Sequence, residues 1–394
     1  MPENVKSGER IAPEEKPVRA RDLGLIVEGT PGRYNAITDV AGVEVGFCTV
    51  IAGEAEPGPE AKESAGIART GVTAILPRGK KCGACFAGRY DLNGNGELTG
   101  THWLDDSGFL FTPILLTNTF SVGTVQEAAC KWILENDLYY HSRFEGEEIK
   151  DQGFFYPVVA ETYDGVLNEP HHFHVKEEHV RAALDSAAGG PVAEGNVGGG
   201  TGMCCHQFKG GTGTASRVLP PEAGGYTVGV LVQANYGLRE NFQFNGIPLG
   251  RLITGCDPEI HRFKQEGDTG SIVVIIATDA PFMPWQLGKL CRRAAIGIGR
   301  LGGGYGNSSG DIFLAFSTAN EGAFADGRGA DGIARIEMLS DEWTDPYYKA
   351  TAEAVEEAIL NALTAARDMR GRDGNFVPAL PHDQVREILK RYRR

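Results

Sequence analysis

The chain has 394 residues, of which 41% are hydrophobic and 23% are charged, and this composition is typical of a globular protein with a sizeable core. Its 38 Lys and Arg against 52 Asp and Glu give a net charge of −14. A nucleic-acid partner is therefore not expected, because the chain has no surplus of cations to displace counterions from phosphates.

The N-terminal segment is charged and lacks the apolar stretch of a signal peptide, and no apolar run approaches the length of a membrane span. We therefore expect a cytoplasmic protein with no membrane partner. Residues 1–20 are predicted to form a flexible arm, because they are polar and show no periodic apolar pattern.

Segments rich in Val, Ile, Thr and aromatic residues dominate the rest of the chain and predict strands. In chain order these segments are 36–51, 71–77, 112–120, 154–163, 226–237, 271–280 and 311–320. Helical periodicity marks 123–136, 283–299, 346–367 and 382–393. The third helix has Asp345 as its expected N-cap and Pro346 at its first position, and its apolar residues fall on one stripe: Tyr348, Ala352, Val355, Ile359 and Ala362.

Most of the predicted strands are apolar on both faces, which favours sheets that are covered on both sides. Sheets with helices on their outer faces give a layered α/β protein. The strands follow one another in pairs rather than alternating with helices. This order favours a sandwich of mixed sheets over a Rossmann or TIM-barrel arrangement.

The cysteines and histidines predict neither a metal nor a cofactor. Eight cysteines at irregular spacing do not indicate a disulfide framework. Cys82 and Cys85 form one CxxC motif on a strand-like run, without the second pair that a zinc site needs. His171, His172 and His174 lie together, but no cysteine or carboxylate spacing accompanies them, and we expect a polar loop.

A glycine-rich stretch, EGNVGGGTGMCCHQFKGGTGTASR, spans residues 194–217. It lacks the Gly-Lys-Ser/Thr ending of a P-loop, and no long apolar helix follows its glycines as in a dinucleotide site. Glycine also allows close approach of the backbone. We interpret the stretch as the floor of a site or as a crossing between layers.

The motif GNSSG at residues 306–310 matches the G-x-S-x-G pattern, with Ser308 at its centre. A nucleophile elbow leads from a strand into a helix, whereas a strand-like run follows here, so an α/β-hydrolase is disfavoured. Ser309 and Asp311 lie two residues apart in an extended segment and so face the same side. From residue types alone, a polar turn explains this segment equally well.

Ser271 lies between Gly270 and an apolar strand, in the stretch EGDTGSIVVIIATDAP. A serine hydroxyl in this position can attack the preceding carbonyl, and hydrolysis of the resulting ester then exposes the serine as a new N-terminus. The preceding glycine has no Cβ to block the strained turn that this attack needs. The freed serine is a nucleophile beside its own amine. An ordinary Gly-Ser turn is the simpler alternative.

The run DTGSIVVIIATDAPFMPWQLGKLCRRAAIGIGRLGGGYGNSSGDIFLAFSTAN strongly resembles the DmpA family of self-processing serine aminopeptidases. This family includes L-aminopeptidase/D-amidase-esterases and β-peptidyl aminopeptidases. Further similar segments follow the family's order at 22–46, 92–108, 157–168, 195–217 and 231–237. The resemblance covers nearly all of the chain after residue 20. It implies one catalytic domain over residues 21–394 with a four-layer αββα sandwich of the N-terminal-nucleophile type.

The resemblance also implies that the chain cuts itself between Gly270 and Ser271, into an α piece (1–270) and a β piece (271–394). Ser271 would be the nucleophile. Ser309 and Asp311 match the family's second serine and the acidic residue two places later. Some members carry glutamate at that acidic position, and Asp311 is shorter.

Three further residues match the family's site. Asn235 matches the asparagine of the oxyanion hole, Tyr163 a tyrosine that lines the site, and Glu161 the carboxylate that receives the ammonium group of the substrate. Residues 238–270, which include Cys256, are less similar to the family. Any difference in the entrance to the site is therefore expected in this segment. Members of the family form tetramers, which implies a homotetramer here.

These matches imply an aminopeptidase that acts on short peptides, amino-acid amides or esters through an acyl-enzyme. They do not discriminate among L-peptides, D-amino-acid amides and β-peptides. One alternative is an acyltransferase of the ornithine acetyltransferase type, but those enzymes use threonine as nucleophile, and Ser271 disfavours them. The other is a binding protein that kept only the fold, which the intact set of candidate site residues disfavours.

Overall fold

Two stacked β-sheets form the centre of the molecule. The computed structural model describes residues 17–58, 66–144, 147–149, 153–261, 267–268, 270–324 and 333–392. Its strands are β1 (Glu44–Ala52), β2 (Ala68–Leu76), β3 (Cys85–Gly94), β4 (Phe109–Leu110), β5 (Ile114–Asn118), β6 (Ser142–Phe144), β7 (Glu147–Ile149), β8 (Val158–Thr162), β9 (Cys204–Cys205), β10 (Phe208–Lys209), β11 (Gly211–Val218), β12 (Thr227–Asn235), β13 (Ser271–Thr278), β14 (Gly310–Ser317), β15 (Met369–Arg370) and β16 (Phe376–Val377). Its helices are α1 (Thr101–Ser107), α2 (Val122–Glu135), α3 (Glu177–Asp185), α4 (Leu249–Leu252), α5 (Pro284–Cys291), α6 (Ala294–Arg300), α7 (Asp345–Thr364) and α8 (His382–Tyr392).

Both central sheets are mixed. The smaller has the strand order β1-β2-β5-β8, and the larger has the order β11-β12-β13-β14-β3-β4. The pairs β5–β8 and β13–β14 are parallel, and the other neighbours in these two sheets are antiparallel. Side chains alternate along β13, so Val273 and Ile275 pack between the sheets while Val274 and Ile276 pack on the outer face.

Helices cover both outer faces. The outer face of the smaller sheet packs against α2 and α3, through residues such as Trp132 and Leu184. The outer face of the larger sheet packs against α5, α6 and α7, through residues such as Leu287, Ile298 and Val355. The order helix, sheet, sheet, helix is the predicted αββα sandwich. No helix of the described residues is long and apolar enough to cross a membrane.

The structure corrects three details of the sequence-based expectation. The predicted helix 283–299 is two helices, because the chain turns at Arg292 and Arg293 before α6 packs on α7 through Gly297. Helix α7 begins at Asp345, with Thr344 as its N-cap. The helix is buried on nearly every side from Ala350 onward rather than along one stripe, because it lies between the sheet and α6.

The expected flexible arm of residues 1–20 is also wrong for its last residues. Ala20 is fully buried and its N–H donates to Asn361 Oδ1 at 3.0 Å. Arg19 forms an ion pair with Glu194, with Nε 2.8 Å from Oε2. The end of the predicted arm therefore belongs to the folded domain, and residues 1–16 lie outside the described residues.

The glycine-rich stretch crosses between the layers, as one of its two interpretations predicted. Its 3₁₀ turn Gly198–Gly200 contacts strands of both sheets. The N–H groups of Gly198 and Gly199 donate to Thr49 Oγ1 and Thr73 Oγ1 at 2.9 and 3.0 Å. A Cβ on Gly199 would lie 2.2 Å from Gln233 Oε1 and 2.6 Å from Leu116 O, so a side chain has no room there.

A buried ion cluster fastens the N-terminal segment to the outer face of the larger sheet. Glu357 of α7 is fully buried and accepts hydrogen bonds from Arg21 at 2.6 and 2.7 Å, Arg217 at 2.7 Å and Asn35 at 2.6 Å. Burial by itself would raise the pKa of Glu357. The bonds and charges of the two arginines instead hold this pKa below its ordinary value.

We predict that Glu357→Gln destabilises the fold by about 3 kcal/mol, because it leaves the buried Arg217 guanidinium and the half-buried Arg21 guanidinium without their common carboxylate. Equilibrium urea unfolding measures the change. The difference from wild type should shrink below about pH 4, since a carboxylate with a lowered pKa stabilises the fold above its unfolded-state pKa and loses that effect as acid protonates it. Glu387→Gln, at an exposed pair with Arg391, is the control and should change stability by less than about 0.5 kcal/mol. Equal effects of the two substitutions would contradict the structural role of the cluster.

Candidate active site

Three neighbouring strands of the larger sheet meet at one end of the sheet: β12 ends there, and β13 and β14 begin there. Asn235, the last residue of β12, lies directly opposite Ser271, the first residue of β13. On the other side of β13, Ile272 pairs with Asp311 near the start of β14. The register of the sheet thus brings together four of the residues that the sequence singled out, including Ser309, which lies just before β14.

Ser271 is half-buried, and its side chain meets β14. Its Oγ accepts a hydrogen bond from the main-chain N–H of Gly310 at 3.1 Å. The preceding residue, Gly270, packs tightly on the end of β12. A Cβ on Gly270 would lie 2.2 Å from Asn235 O and 2.5 Å from Tyr236 Cα, so glycine is the residue that fits.

Ser309 and Asp311 face the same side of the chain, as their spacing predicted. Ser309 Oγ lies 2.9 Å from Asp311 Oδ2 and 2.9 Å from Gly306 O, and its single proton is donated to one of these acceptors at a time. Burial raises the pKa of Asp311 to about 6, against the lowering effect of the bond from Ser309, and the nearby charge of Asp268 adds to the rise. Asp311 is therefore a carboxylate that titrates just below neutral pH.

The structure fixes the orientation of the Asn235 amide. Its Oδ1 accepts a hydrogen bond from the main-chain N–H of Cys204 at 2.8 Å, and a main-chain N–H can only donate. The amide nitrogen must then point the other way, where it donates to Tyr163 O at 3.0 Å. The second amide proton of Asn235 is available to another acceptor at the end of β12.

Glu161 lies in the smaller sheet, on β8, and reaches the same end of the larger sheet. It is 5% exposed, and it accepts hydrogen bonds from the N–H of Glu97 at 3.0 Å and from the Thr119 hydroxyl. A Cβ on Gly96 would lie 3.1 Å from Glu161 Oε1 and 3.7 Å from Gly310 Cα. Gly96 therefore lies between the carboxylate and Gly310, the residue that contacts Ser271. Burial raises the pKa of Glu161 despite these two donors.

The loop after β3 joins the two sheets around the site. Leu98 forms a bridge with Ala160 of β8, and the N–H of Asn95 donates to Ser309 O at 3.3 Å. The register between β3 and β14 shifts between Asp311 and Ile312, which is a β-bulge. Such bulges redirect side chains next to functional sites. Here the extra residue is Leu92 of β3, which lies opposite the step from Asp311 to Ile312.

Tyr163 follows β8 directly and is half-buried. Its ring stands edge-on to Phe120, with centroids 6.3 Å apart. A Cβ on Gly165 would overlap the end of the Tyr163 ring, at 2.3 Å from its hydroxyl oxygen. Glycine at 165 therefore lets the tyrosine fold back over its own loop.

The other candidate side chains are not part of this group of contacts. Ser308 is exposed, and strand β14 follows it, which excludes a nucleophile elbow. Cys82 is exposed and Cys85 is buried in β3. His171 and His172 lie in a 3₁₀ turn, and His172 stacks on His174. Within the described part of the chain, no group of His, Cys, Asp and Glu side chains could hold a metal ion.

Several groups of the site were not anticipated. They are the N–H of Cys204 and of Gly310, the Thr119 hydroxyl and the Asp268 carboxylate, whose Oδ1 accepts from Gly237 N at 2.9 Å. Main-chain donors leave no mark in a sequence, because every residue except proline has one. Thr119 had a weak signal, since it lies in a polar run directly after an apolar strand.

The arrangement suits acyl transfer. A serine hydroxyl lies between an amide donor on one neighbouring strand and a serine–carboxylate pair on the other. A nucleophile, a donor for a developing oxyanion and a proton acceptor are the parts that such chemistry requires.

Comparison with known proteins gives the family. Residues 35–377 match Peptidase family S58. The chain is 46% identical over 387 residues to beta-peptidyl aminopeptidase BapA of Sphingosinicella microcystinivorans, across 95% of this chain and 93% of that protein. It is 43% identical to the BapA of Sphingosinicella xenopeptidilytica, across 94% of this chain and 91% of that protein.

Solved structures agree. The L-aminopeptidase D-Ala-esterase/amidase of Ochrobactrum anthropi, described as a prototype for the serine aminopeptidases and a variant of the Ntn hydrolase fold, matches with a TM-score of 0.83 and 47% identity. The match covers 96% of this chain and 99% of that one. A Burkholderia sp. beta-aminopeptidase matches with a TM-score of 0.81 and 45% identity, across 95% of this chain and 99% of that one.

The fold is thus that of an Ntn hydrolase, and the protein is a hydrolase of the aminopeptidase and amidase class. The chain belongs to peptidase family S58. The sequence-based resemblance and the expected fold are confirmed, and the acyltransferase alternative is not favoured.

We predict that kcat rises with pH through about 6, because Asp311 must be ionised to accept the hydrogen bond from Ser309 and to support positive charge at the site. Asp311→Asn should lower kcat at least about tenfold, which corresponds to about 1.4 kcal/mol, and should remove this acid limb. Initial rates at saturating substrate from pH 4.5 to 8 measure both effects. Asp383→Asn, at an exposed position, is the control and should keep the wild-type profile. An unchanged acid limb in Asp311→Asn would assign the titration to another group.

Proposed function

We propose that this chain is a self-processing aminopeptidase that removes N-terminal residues from short peptides, amino-acid amides or esters through an acyl-enzyme on Ser271. Its single catalytic domain includes the chain from Arg19 onward. One observation carries the proposal. The Ser271 hydroxyl lies at the start of β13, where Gly310 N–H contacts it and Asn235 stands opposite on β12. The names of the relatives support peptides, amides and esters as substrates.

Self-processing begins with attack of Ser271 Oγ on the carbonyl carbon of Gly270. The C–N bond of the Gly270–Ser271 peptide breaks, its nitrogen takes up the hydroxyl proton, and an ester links Gly270 to Ser271 Oγ. Water then hydrolyses this ester, which gives a Gly270 carboxylate and a free Ser271 amine. The close packing of Gly270 on Asn235 and the bond from Gly237 N–H to Asp268 support this step, because both hold the segment before Ser271 in place.

In turnover, Ser271 Oγ attacks the carbonyl of the substrate's first residue. Its proton passes to the freed Ser271 amine, and the Ser309–Asp311 pair supports the charge that develops on this amine. The second amide proton of Asn235 donates to the oxyanion, a contact worth about 3 kcal/mol in comparable sites. The leaving group takes the proton and departs, and water hydrolyses the acyl-enzyme.

Glu161 recognises the free amine of the substrate. Its carboxylate is buried, and its hydrogen-bond partners among the described residues are the neutral donors Glu97 N–H and Thr119. Gly96 lies between this carboxylate and Gly310. Because neither donor is charged, the negative charge of the ionised carboxylate is left to be compensated by an ammonium ion of the substrate. This contact would limit the enzyme to substrates with an unblocked N-terminus.

The family resemblance further supports a homotetramer, which analytical ultracentrifugation of the purified protein would test. A cytoplasmic location remains a prediction from the sequence, and cell fractionation would test it.

We predict that the purified wild-type protein gives two fragments divided between Gly270 and Ser271, and that Ser271→Ala gives one full-length chain, because alanine has no hydroxyl to attack the peptide bond. A denaturing gel with intact-mass measurement distinguishes the two results. Ser308→Ala removes an exposed hydroxyl from the same turn region and should process normally. Fragments of the same masses from Ser271→Ala would exclude Ser271 as the nucleophile of processing.

We also predict that Glu161→Gln raises KM for free-amine substrates at least about tenfold, since it removes a charge-assisted hydrogen bond worth about 1.5–3 kcal/mol. The preference for free-amine over N-acetylated aminoacyl anilides should shrink with it. Matched kinetics on the two substrates measure both effects, and Glu222→Gln, at an exposed position, is the control. Equal kcat/KM for the free and acetylated substrates in the wild-type enzyme would contradict the assigned role.

A further inference from the structure

Lys209 is a buried charged residue that the mechanism above does not use. It lies on β10, and its side chain is completely buried. Its Nζ donates to three main-chain carbonyls, at 2.7 Å to Met203, 2.9 Å to Gly210 and 3.3 Å to Gly200. Among the described residues, no carboxylate lies within ion-pair distance of it. A buried ammonium without a carboxylate is costly, which calls for a reason why it is there.

The hairpin that carries Lys209 is docked on the end of β12. Strands β9 and β10 are joined by His206 and Gln207, both with positive φ of 49° and 59°, as in a two-residue type I′ turn. The N–H of His206 donates to Tyr236 O at 2.7 Å. A Cβ on Gly210 would lie 2.5 Å from Ala234 O. The hairpin therefore contacts both chain neighbours of Asn235, Ala234 and Tyr236.

One peptide unit connects Lys209 to Asn235. The carbonyl of Met203 accepts the shortest of the three lysine bonds, and the N–H of Cys204 belongs to the same planar peptide group. That N–H donates to Asn235 Oδ1 at 2.8 Å. Because the peptide is planar, fixing its oxygen also fixes the direction of its N–H. A cation on the oxygen polarises the group and strengthens the N–H as a donor.

We infer that Lys209 is a positioning residue, which holds the Met203–Cys204 peptide so that its N–H orients the side-chain amide of Asn235 towards the oxyanion. The inference rests on the proposed role of Asn235. It adds a residue that never touches the substrate and acts only through this amide. Its loss should reduce stabilisation of the transition state and leave substrate binding nearly unchanged.

The effect should depend on pH, because three carbonyls need the three protons of an ammonium group. Burial lowers the pKa of Lys209 to about 8. The titratable groups that face it are the thiols of Cys204 and Cys205 on β9, with Asp164 beside Cys204 and His206 in the turn. Burial raises the pKa of both thiols, to about 11 for Cys204, so they stay neutral while the lysine titrates. Above about pH 8 the neutral amine has two protons for three acceptors, and kcat should decline.

The decisive experiment is a double-mutant cycle with Lys209→Met and Asn235→Ala. Rates are normalised to the processed fraction, which intact-mass measurement gives. Lys209→Met should lower kcat at least about tenfold with KM within about twofold. In the Asn235→Ala background it should lower kcat by less than about twofold, because the group it orients is gone. Lys289→Met, at a half-exposed lysine of α5, is the matched control and should leave kcat unchanged.

Wild-type kcat from Lys209→Met, or an equal further loss in the Asn235→Ala background, would overturn the inference. If Lys209→Met does not fold, the wild-type and Asn235→Ala enzymes suffice. The wild-type kcat should fall above about pH 8 at saturating substrate, and the residual activity of Asn235→Ala should lack this limb. The same limb in both enzymes, or none in the wild type, would overturn it.

Failure of the proposed function looks different. Full activity in Asn235→Ala or Ser271→Ala would show that the proposed active site is wrong. If Asn235→Ala is impaired and Lys209→Met has normal activity, the proposed function stands and the inference about Lys209 is wrong.

Discussion

The register of β13 between its two neighbours is the constraint on which the rest of the site depends. Ser271 stands opposite Asn235 on one side, and Ile272 stands beside Asp311 on the other. Both faces of β13 are buried, one between the sheets and one under the helices. A slip by one residue would exchange these two faces and move Ser271 away from the amide and the carboxylate at once. Core packing thereby fixes the position of the candidate nucleophile.

The smaller sheet contributes the carboxylate of Glu161 to the candidate site. Glu161 reaches the site from β8, and the fully buried Gln233 ties the sheets together through its bonds to Thr117 O and Thr162 Oγ1, both at 2.9 Å. A buried amide linked to two strands costs stability if either partner is displaced, so it holds the sheets in one relative position. In the proposed mechanism, recognition of an amine and attack on a carbonyl are carried out by residues of different sheets, and Gln233 fixes the spacing of these sheets.

Buried charges of two kinds occur in this fold. The charge of Glu357 is compensated by two arginines, and its lowered pKa means that the folded environment favours the ionised form. Asp311, Glu161 and Lys209 have pKa values shifted towards their neutral forms, because burial outweighs their partners. These three groups reduce stability at neutral pH and lie at or next to the candidate site, whereas burial also raises the pKa of Asp279 and Glu356, which lie away from it. Such perturbed groups are typical of functional sites, where reactivity matters more than stability.

The sequence by itself determined most of the strands, the outer helices α2, α5, α6 and α7 and the layered class, because runs of β-branched and aromatic residues and 3.6-residue apolar patterns report which segments are buried. It also marked Ser271, Ser309 and Asp311, since a glycine before an apolar strand and a two-residue spacing are local features. It did not predict β11, which lies within the glycine-rich stretch, or α3. The break between α5 and α6, the all-round burial of α7 and the folded end of the supposed arm came from contacts between distant segments. Only the tertiary structure decided that Cys204 N–H holds Asn235 and that Lys209 holds its peptide. Main-chain donors and acceptors are the same in every residue, so their pairing depends on how the chain folds in space and leaves no trace in the order of side chains.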